Sequence, residues 1–179
     1  DSVMTCSPTY LVMGMSAITF YGGINGAEKF KKDVKERSGL SVSIGSDSTK
    51  NALNAFGGIK NVAFFSPYFP AANEQVSLYL EESGFNVKKD LCLQCNTWTD
   101  IAKVNKDTMF SSLKEIDSDN IDALIQVGTN LPMATFTEDF ESTFDKPIIA
   151  INTATYWDAL RRNNITDKIN GFGKLLSEY

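Results

Sequence analysis

The chain contains no histidine. That removes the usual general base near neutral pH, the base of a Ser-His-Asp triad and the commonest metal ligand. Any chemistry falls to Cys, Tyr, Ser or Thr, Asp or Glu, Lys, or backbone amides. Cysteine is scarce as well: three residues, an odd number, which argues against a disulfide framework and suits a reducing, cytoplasmic setting. No apolar run approaches the roughly 20 residues that span a bilayer, so no membrane association is expected. Nor is there a block of Lys and Arg able to follow a phosphate backbone. The densest charged run, residues 29–37, alternates in sign and reads as a solvated helix face. With a formal net charge of -5, nucleic acid is not an expected partner. No signal peptide is legible, and the sequence opens on Asp1 rather than Met, so further residues upstream are expected.

What remains is an ordinary globular composition: 179 residues, 42% apolar and 22% charged, enough for one large domain or two small ones. Apolar runs of strand length alternate with amphipathic stretches. Strands are predicted over 10–13, 40–44, 61–66, 85–93, 121–127 and 146–151. The run 85–93 has the weakest pattern and reads as an edge. Helices are predicted over 26–38, 47–56, 71–83, 99–103, 106–116, 137–144 and 154–162. This alternation defines an α/β protein with parallel strands and helices on both faces. Sites in such folds lie at the carboxyl ends of the strands.

Four strand exits carry notable residues. In "LVMGMSAITF" an apolar run ends in Gly14-Met15-Ser16. Glycine there lets backbone amides approach an anion, while the plainer reading is a turn with a capping serine. "SPYFP" frames Tyr68 between two prolines, which either aims its phenol into a cleft or packs it. "VGTNLPMATF" repeats the first pattern at Gly128-Thr129-Asn130, either an oxyanion or carboxylate cradle or the N-cap of a helix with Pro132 in its first turn. "INTATYW" offers Asn152 and Thr153 as neutral hydrogen-bonding groups, with Tyr156 and Trp157 as helix packing. Cys92 and Cys95 form a lone CxxC with no second pair, a weak basis for zinc or redox work. No metal and no cofactor are expected.

Together, "MGMSAITFYGG" (13–23), "SPYFPAANEQV" (66–76), "DALIQVGTNLPM" (122–133) and "INTATYWDALR" (151–161) resemble the aspartate/glutamate racemase superfamily. The nearest branch is that of arylmalonate decarboxylase and maleate cis-trans isomerase. The resemblance runs in order over essentially the whole chain. It implies two pseudo-symmetric α/β lobes with parallel sheets flanked by helices and the active site in the cleft between them. The doubled exit would then be one exit from each lobe. By analogy the first lobe comprises 1–45 with 150–179 and the second 46–149. A strand and helix that normally open the first lobe are absent from this sequence.

The family's chemistry is cofactor-independent. Its racemases and isomerases place a catalytic cysteine at both facing exits, and the decarboxylase keeps only the second. Here those positions match Gly14 and Gly128, so both thiols are missing. The anion cradle survives: Ser16 matches a hydroxyl of the decarboxylase's dioxyanion hole, Tyr68 its phenol donor, and Met15 replaces a second hydroxyl. Thr129 and Asn130 follow the second exit and would bind carboxylate through their amides. Thr153 is expected to add a contact, and Cys95 is the one candidate replacement thiol. The implied activity is decarboxylation or isomerisation of a small carboxylate or dicarboxylate through an enolate-like intermediate, with Cys95, Tyr68 or a bound water carrying the proton. The rival reading is a carboxylate-binding relative that has lost catalysis. A flavodoxin-like nucleotide binder ranks last, since no P-loop or GxGxxG is present. The apolar, tyrosine-rich helices permit a homodimer.

Overall fold

A computed structural model describes residues 1–179. Two short strands, β1 (Leu11–Val12) and β2 (Val42–Ser43), pair in parallel with Leu11 opposite Val42. Four more, β3 (Asn61–Ser66), β4 (Asn86–Cys92), β5 (Ala123–Gln126) and β6 (Ile148–Ala150), form an all-parallel sheet in the order β4-β3-β5-β6. β4 is an edge, as its weak pattern predicts.

Eight helices follow the crossovers: α1 (Gly23–Ser38), α2 (Gly45–Phe56), α3 (Pro70–Glu82), α4 (Trp98–Ala102), α5 (Lys106–Ile116), α6 (Thr137–Phe144), α7 (Ile151–Arg162) and α8 (Lys174–Glu178). None is long and apolar enough to cross a membrane.

Successive strand residues point to opposite faces, and the larger sheet divides the core accordingly. Val62, Phe64, Ala123 and Ile125 face a core shared with α2, α3, α7 and α8 that continues to β2. Ala63, Phe65, Leu124 and Ile148 face a second core closed by α5 and α6. The strand β3 is therefore buried on both faces, which explains its uninterrupted apolar run.

Four expectations need correction. The strands of the first sheet are two residues long, and α8 lies where no helix is predicted. Thr129 and Asn130 cap nothing: the chain turns there, with the Leu131 amide donating to the Gly128 carbonyl, and the next helical turn starts only at Ala134. Finally, α7 begins at Ile151, directly off β6, and not at 154. Asn152 and Thr153 read as loop residues by composition, yet the apolar contacts of Ile151 and Ala154 hold them in the first helical turn.

Two buried carboxylates brace the helices. Asp158 of α7 accepts hydrogen bonds from Ser43 (2.6 Å), Asn51 (2.8 Å) and Arg162 (2.9 Å). Asp47, in the first turn of α2, pairs with Lys31 of α1 and accepts from the Tyr79 hydroxyl of α3 at 2.6 Å. Burial pushes the Asp47 carboxyl up, but Lys31 and Tyr79 outweigh it and hold its pKa below the usual range. A depressed folded-state pKa stabilises the fold above the ordinary carboxylate range, and that term is lost as pH falls through the depressed value.

Asp47→Ala strands the Tyr79 hydroxyl in the core. Breaking a fully buried pair costs about 3–5 kcal/mol. Lys31 keeps some solvent contact, so urea unfolding of the variant should show a loss of about 2–4 kcal/mol.

Candidate active site

The exits of β1 and β5 meet across one cleft of about 340 Å³. Gly14, Met15 and Ala17 form one side, Gly128, Thr129 and Asn130 the other, and Pro67, Tyr68, Trp98 and Ile101 close it. No charged side chain lines this space. The amides of Gly14, Met15 and Ser16, and those of Gly128, Thr129 and Asn130, donate to no acceptor within the chain. The unpaired N–H groups of Gly14 and Met15 on one side and of Gly128, Thr129 and Asn130 on the other thus flank the same cavity. Consecutive free amides at a turn make an anion-binding concavity, and in a site of neutral side chains they are the main source of positive potential.

Tyr68 supplies the side-chain donor. Its hydroxyl lies 3.2 Å from Ser16 Oγ. Ser16 is 0% exposed, so it does not itself line the cleft and reaches it only through the phenol. Burial raises the Tyr68 pKa above its ordinary value, and the Ser16 hydrogen bond offsets part of that rise. The phenol therefore stays protonated, and able to donate, throughout the neutral range.

The Tyr68 loop is held from beneath. The Tyr68 amide donates to Ser66 Oγ (3.0 Å), Ser66 donates to Asn73, and Asn73 donates to Asp90 (2.7 Å). The stretch after β4 adds two backbone bonds, Gln94 N to the Tyr68 carbonyl (3.2 Å) and Cys95 N to that of Pro67 (2.9 Å).

The second exit is fastened by three side chains. Gln126, buried in β5, donates to the Gly128 carbonyl at 2.8 Å. Asn152 donates to the Thr129 carbonyl at 2.9 Å. Asn130 donates to the Trp98 carbonyl of α4, also at 2.9 Å. With carbonyls engaged behind the loop, the amides are left for the cleft. Asn130 and Asn152 stood out in the sequence as polar residues after strands, and a glutamine inside an otherwise apolar strand was a further signal; the contributions of Trp98 and Ile101 carried none.

Of the residues expected at the site, Gly14, Met15, Tyr68, Gly128, Thr129 and Asn130 are brought together, with Ser16 immediately behind Tyr68. Cys95 is not on the cleft wall. It lies in an adjoining cavity of about 280 Å³ that shares Pro67, Tyr68, Trp98 and Ile101 with it. Burial and, secondarily, Asp100 push its thiol pKa up. Thr153, carried away by the early start of α7, faces a different cavity altogether. The three cysteines are free, and no group of three or more Cys, Asp or Glu side chains is placed to hold a metal ion.

The fold and the cleft define a class: a two-sheet parallel α/β protein with a neutral anion cradle between facing strand exits. The family model for arylmalonate decarboxylase matches residues 7–176, and the chain belongs to that family. It is similar to maleate isomerase from Nocardia farcinica (strain IFM 10152), 26% identical over 120 residues covering 66% of this chain and 48% of that protein. The maleate isomerase of Alcaligenes faecalis is 21% identical over 121 residues, 67% of this chain and 48% of the relative. The chain thus spans about half the length of the curated relatives it matches.

Among solved structures, Nocardia farcinica maleate cis-trans isomerase bound to TRIS superposes with a TM-score of 0.92 at 21% identity, over 99% of this chain and 74% of that one. The crystal structure of arylmalonate decarboxylase gives 0.90 at 20% identity, over 99% and 79%. These likenesses establish a shared fold.

Proposed function

We propose that the protein is a cofactor-independent decarboxylase or isomerase acting on a small carboxylate or dicarboxylate, arylmalonate- or maleate-like, through an enolate-like intermediate. The carrying observation is the pair of unpaired amide runs at Gly14–Met15 and Gly128–Asn130, with the Tyr68 hydroxyl beside them. One run seats a carboxylate. The other run and the phenol meet the oxygen on which negative charge develops when the bond to Cα breaks or its π-electrons shift. Preorganised donors of this kind act on the transition state without reorganising. Ser16 positions the phenol. A further Nocardia farcinica maleate isomerase structure, of a Cys-to-Ser variant, holds a covalently bound succinylcysteine intermediate; the cleft here has no thiol to form one, which favours a route without a covalent adduct. The same reading places the protein in the cytoplasm, divides it into lobes at 45/46 and 149/150, and allows a homodimer.

A second reading rests on the same missing thiols. With glycine at both exits, the cleft also suits a binding or sensory protein that holds a carboxylate and does not transform it.

The deciding experiment incubates the protein in D2O with maleate, aryl- and alkylmalonates, aspartate and glutamate, following deuterium incorporation, decarboxylation and isomerisation by proton NMR. Turnover supports the enzyme, and saturable binding with no exchange supports the binder. Cys95→Ala is expected to leave turnover largely unchanged, because the thiol stands outside the cleft; its loss would instead make Cys95 the proton carrier.

A further inference from the structure

Asn73 stands in the first turn of α3 and Asp90 in β4, and neither lines the cleft. Asn73 is buried, as is Ser66 at the end of β3, whereas Asp90 is exposed. The three side chains continue in one line from the backbone of Tyr68. Its amide donates to Ser66 Oγ at 3.0 Å, the Ser66 hydroxyl donates to Asn73 Oδ1, and Asn73 Nδ2 donates to Asp90 Oδ2 at 2.7 Å.

The line runs in one direction only. A backbone N–H can only donate, so Ser66 Oγ accepts from Tyr68, and its single proton needs an acceptor on the Asn73 side. The two ends of an asparagine amide have nearly the same shape, and their partners decide which way it faces. A carboxylate accepts and has nothing to donate. Asp90 therefore draws the Nδ2 end of Asn73 and leaves Oδ1 for Ser66. With the amide turned over, Ser66 Oγ would meet two donors, its own buried proton would lose its partner, and Oδ1 would face the carboxylate. Each of those contacts is unfavourable.

Tyr68 depends on this line for one side of its backbone. The Pro67 and Tyr68 carbonyls are held by the amides of Cys95 and Gln94, while the Tyr68 amide is held by Ser66. At the far end of the side chain, the contact of the phenol with Ser16 Oγ is 3.2 Å, long for a pair of hydroxyls. The place of the phenol is thus set largely by the backbone that carries it.

We infer that Asn73 is a positioning residue for the Tyr68 phenol, and that Asp90, outside the cleft, fixes the orientation in which Asn73 acts. The inference rests on the part given to Tyr68 in the function proposed above. A displacement of about 1 Å at a reacting group costs on the order of 10²-fold in rate, so loss of the line lowers kcat although none of its members touches substrate.

The test has two arms. In the first, protein labelled with 13Cζ-tyrosine gives an NMR resonance for Tyr68, assigned by its loss in Tyr68→Phe. Asn73→Leu and Asp90→Ala should each displace that resonance. Asp90→Asn, which keeps an oxygen to accept from Asn73 Nδ2, should return it close to the parent position. In the second arm, kinetics on a carboxylate that is turned over should show Asn73→Leu lowering kcat about 10–100-fold with a smaller change in KM. In a Tyr68→Phe background the same substitution should lower kcat little further, because residues that act as a unit are not additive. An asparagine that only braces the fold would give no such dependence on Tyr68. Ser66→Ala, which breaks the same line, takes the place of Asn73→Leu if that variant fails to fold. If no carboxylate is turned over, the enzyme reading of the cleft fails and the Tyr68 resonance alone decides the positioning role. That role is overturned if the resonance keeps its parent position in both Asn73→Leu and Asp90→Ala, if Asp90→Asn displaces it as far as Asp90→Ala does, or if the kcat losses of Asn73→Leu and Tyr68→Phe multiply.

Discussion

Tyr68→Phe lowers turnover of a carboxylate substrate by about 10²–10³-fold, with a smaller effect on substrate affinity. The figure is that for removing one preorganised donor from an oxyanion site, roughly 3–4 kcal/mol. It applies here because the cleft is lined by no charged side chain that could take over. The substitution keeps the ring, so the packing of Pro67, Trp98 and Ile101 is preserved. It also strands Ser16 Oγ, whose hydrogen bond to the phenol is 3.2 Å long, and a lost buried hydrogen bond costs about 1–3 kcal/mol of stability. Stability and turnover must therefore be read separately, by urea unfolding and by kinetics on folded protein.

The pH profile gives an independent check. Burial holds the phenol's pKa above its ordinary value, so the donor form persists through neutrality and is lost only above about pH 10. A parent profile flat through neutrality on its basic side, with Tyr68→Phe low and equally flat, is the expected pair. Equal kcat for parent and variant would remove Tyr68 from the reaction and leave the amides as the whole cradle.

The strand exits were legible because backbone chemistry is local. Glycine followed by small polar residues, after an apolar run, is enough to place unpaired amides at the end of a parallel strand. The bounds of β3, α5 and α6 follow equally from local periodicity and coincide with the structure. What the sequence hides is what holds the exits from elsewhere. Asn152 and the Trp98 carbonyl meet Thr129 and Asn130 only once distant segments are packed together. Thr153 illustrates the converse. Its composition context suggests a loop, but tertiary packing of Ile151 and Ala154 starts the helix early and turns the residue to another cavity. Cys95 falls one cavity away from its expected place for a similar reason: the strand β4 continues into backbone bonds with Pro67 and Tyr68, and these fix where the thiol can stand.

The glycines at the two strand exits are not equivalent, and installing cysteine at each should separate them. A Cβ at Gly14 would have no atom within 4 Å, and that residue lies outside the left-handed region. Gly14→Cys should fold normally, with unfolding free energy within about 0.5 kcal/mol of the parent, the range of an unhindered substitution. Its thiol would stand free in the cleft and react with a disulfide reagent. At Gly128 the backbone has φ +108°, and a Cβ would fall 2.5 Å from Pro67 Cδ and 2.7 Å from Cγ. A non-glycine residue in such a conformation costs about 1–3 kcal/mol, and forcing extra atoms into a packed site costs about 1–3 more. The proline ring has little room to yield, because its carbonyl is tied to the Cys95 amide. Gly128→Cys is therefore expected to lose about 2–6 kcal/mol. Adding Pro67→Ala, which deletes both clashing carbons, should recover the packing share and leave the strain. A Gly128→Cys protein as stable as the parent would show that the exit can relax around a thiol. If the loss is seen, glycine at 128 is built into the loop while glycine at 14 is replaceable, so a thiol can be placed in the cleft by a single substitution at the β1 exit but not at the β5 exit.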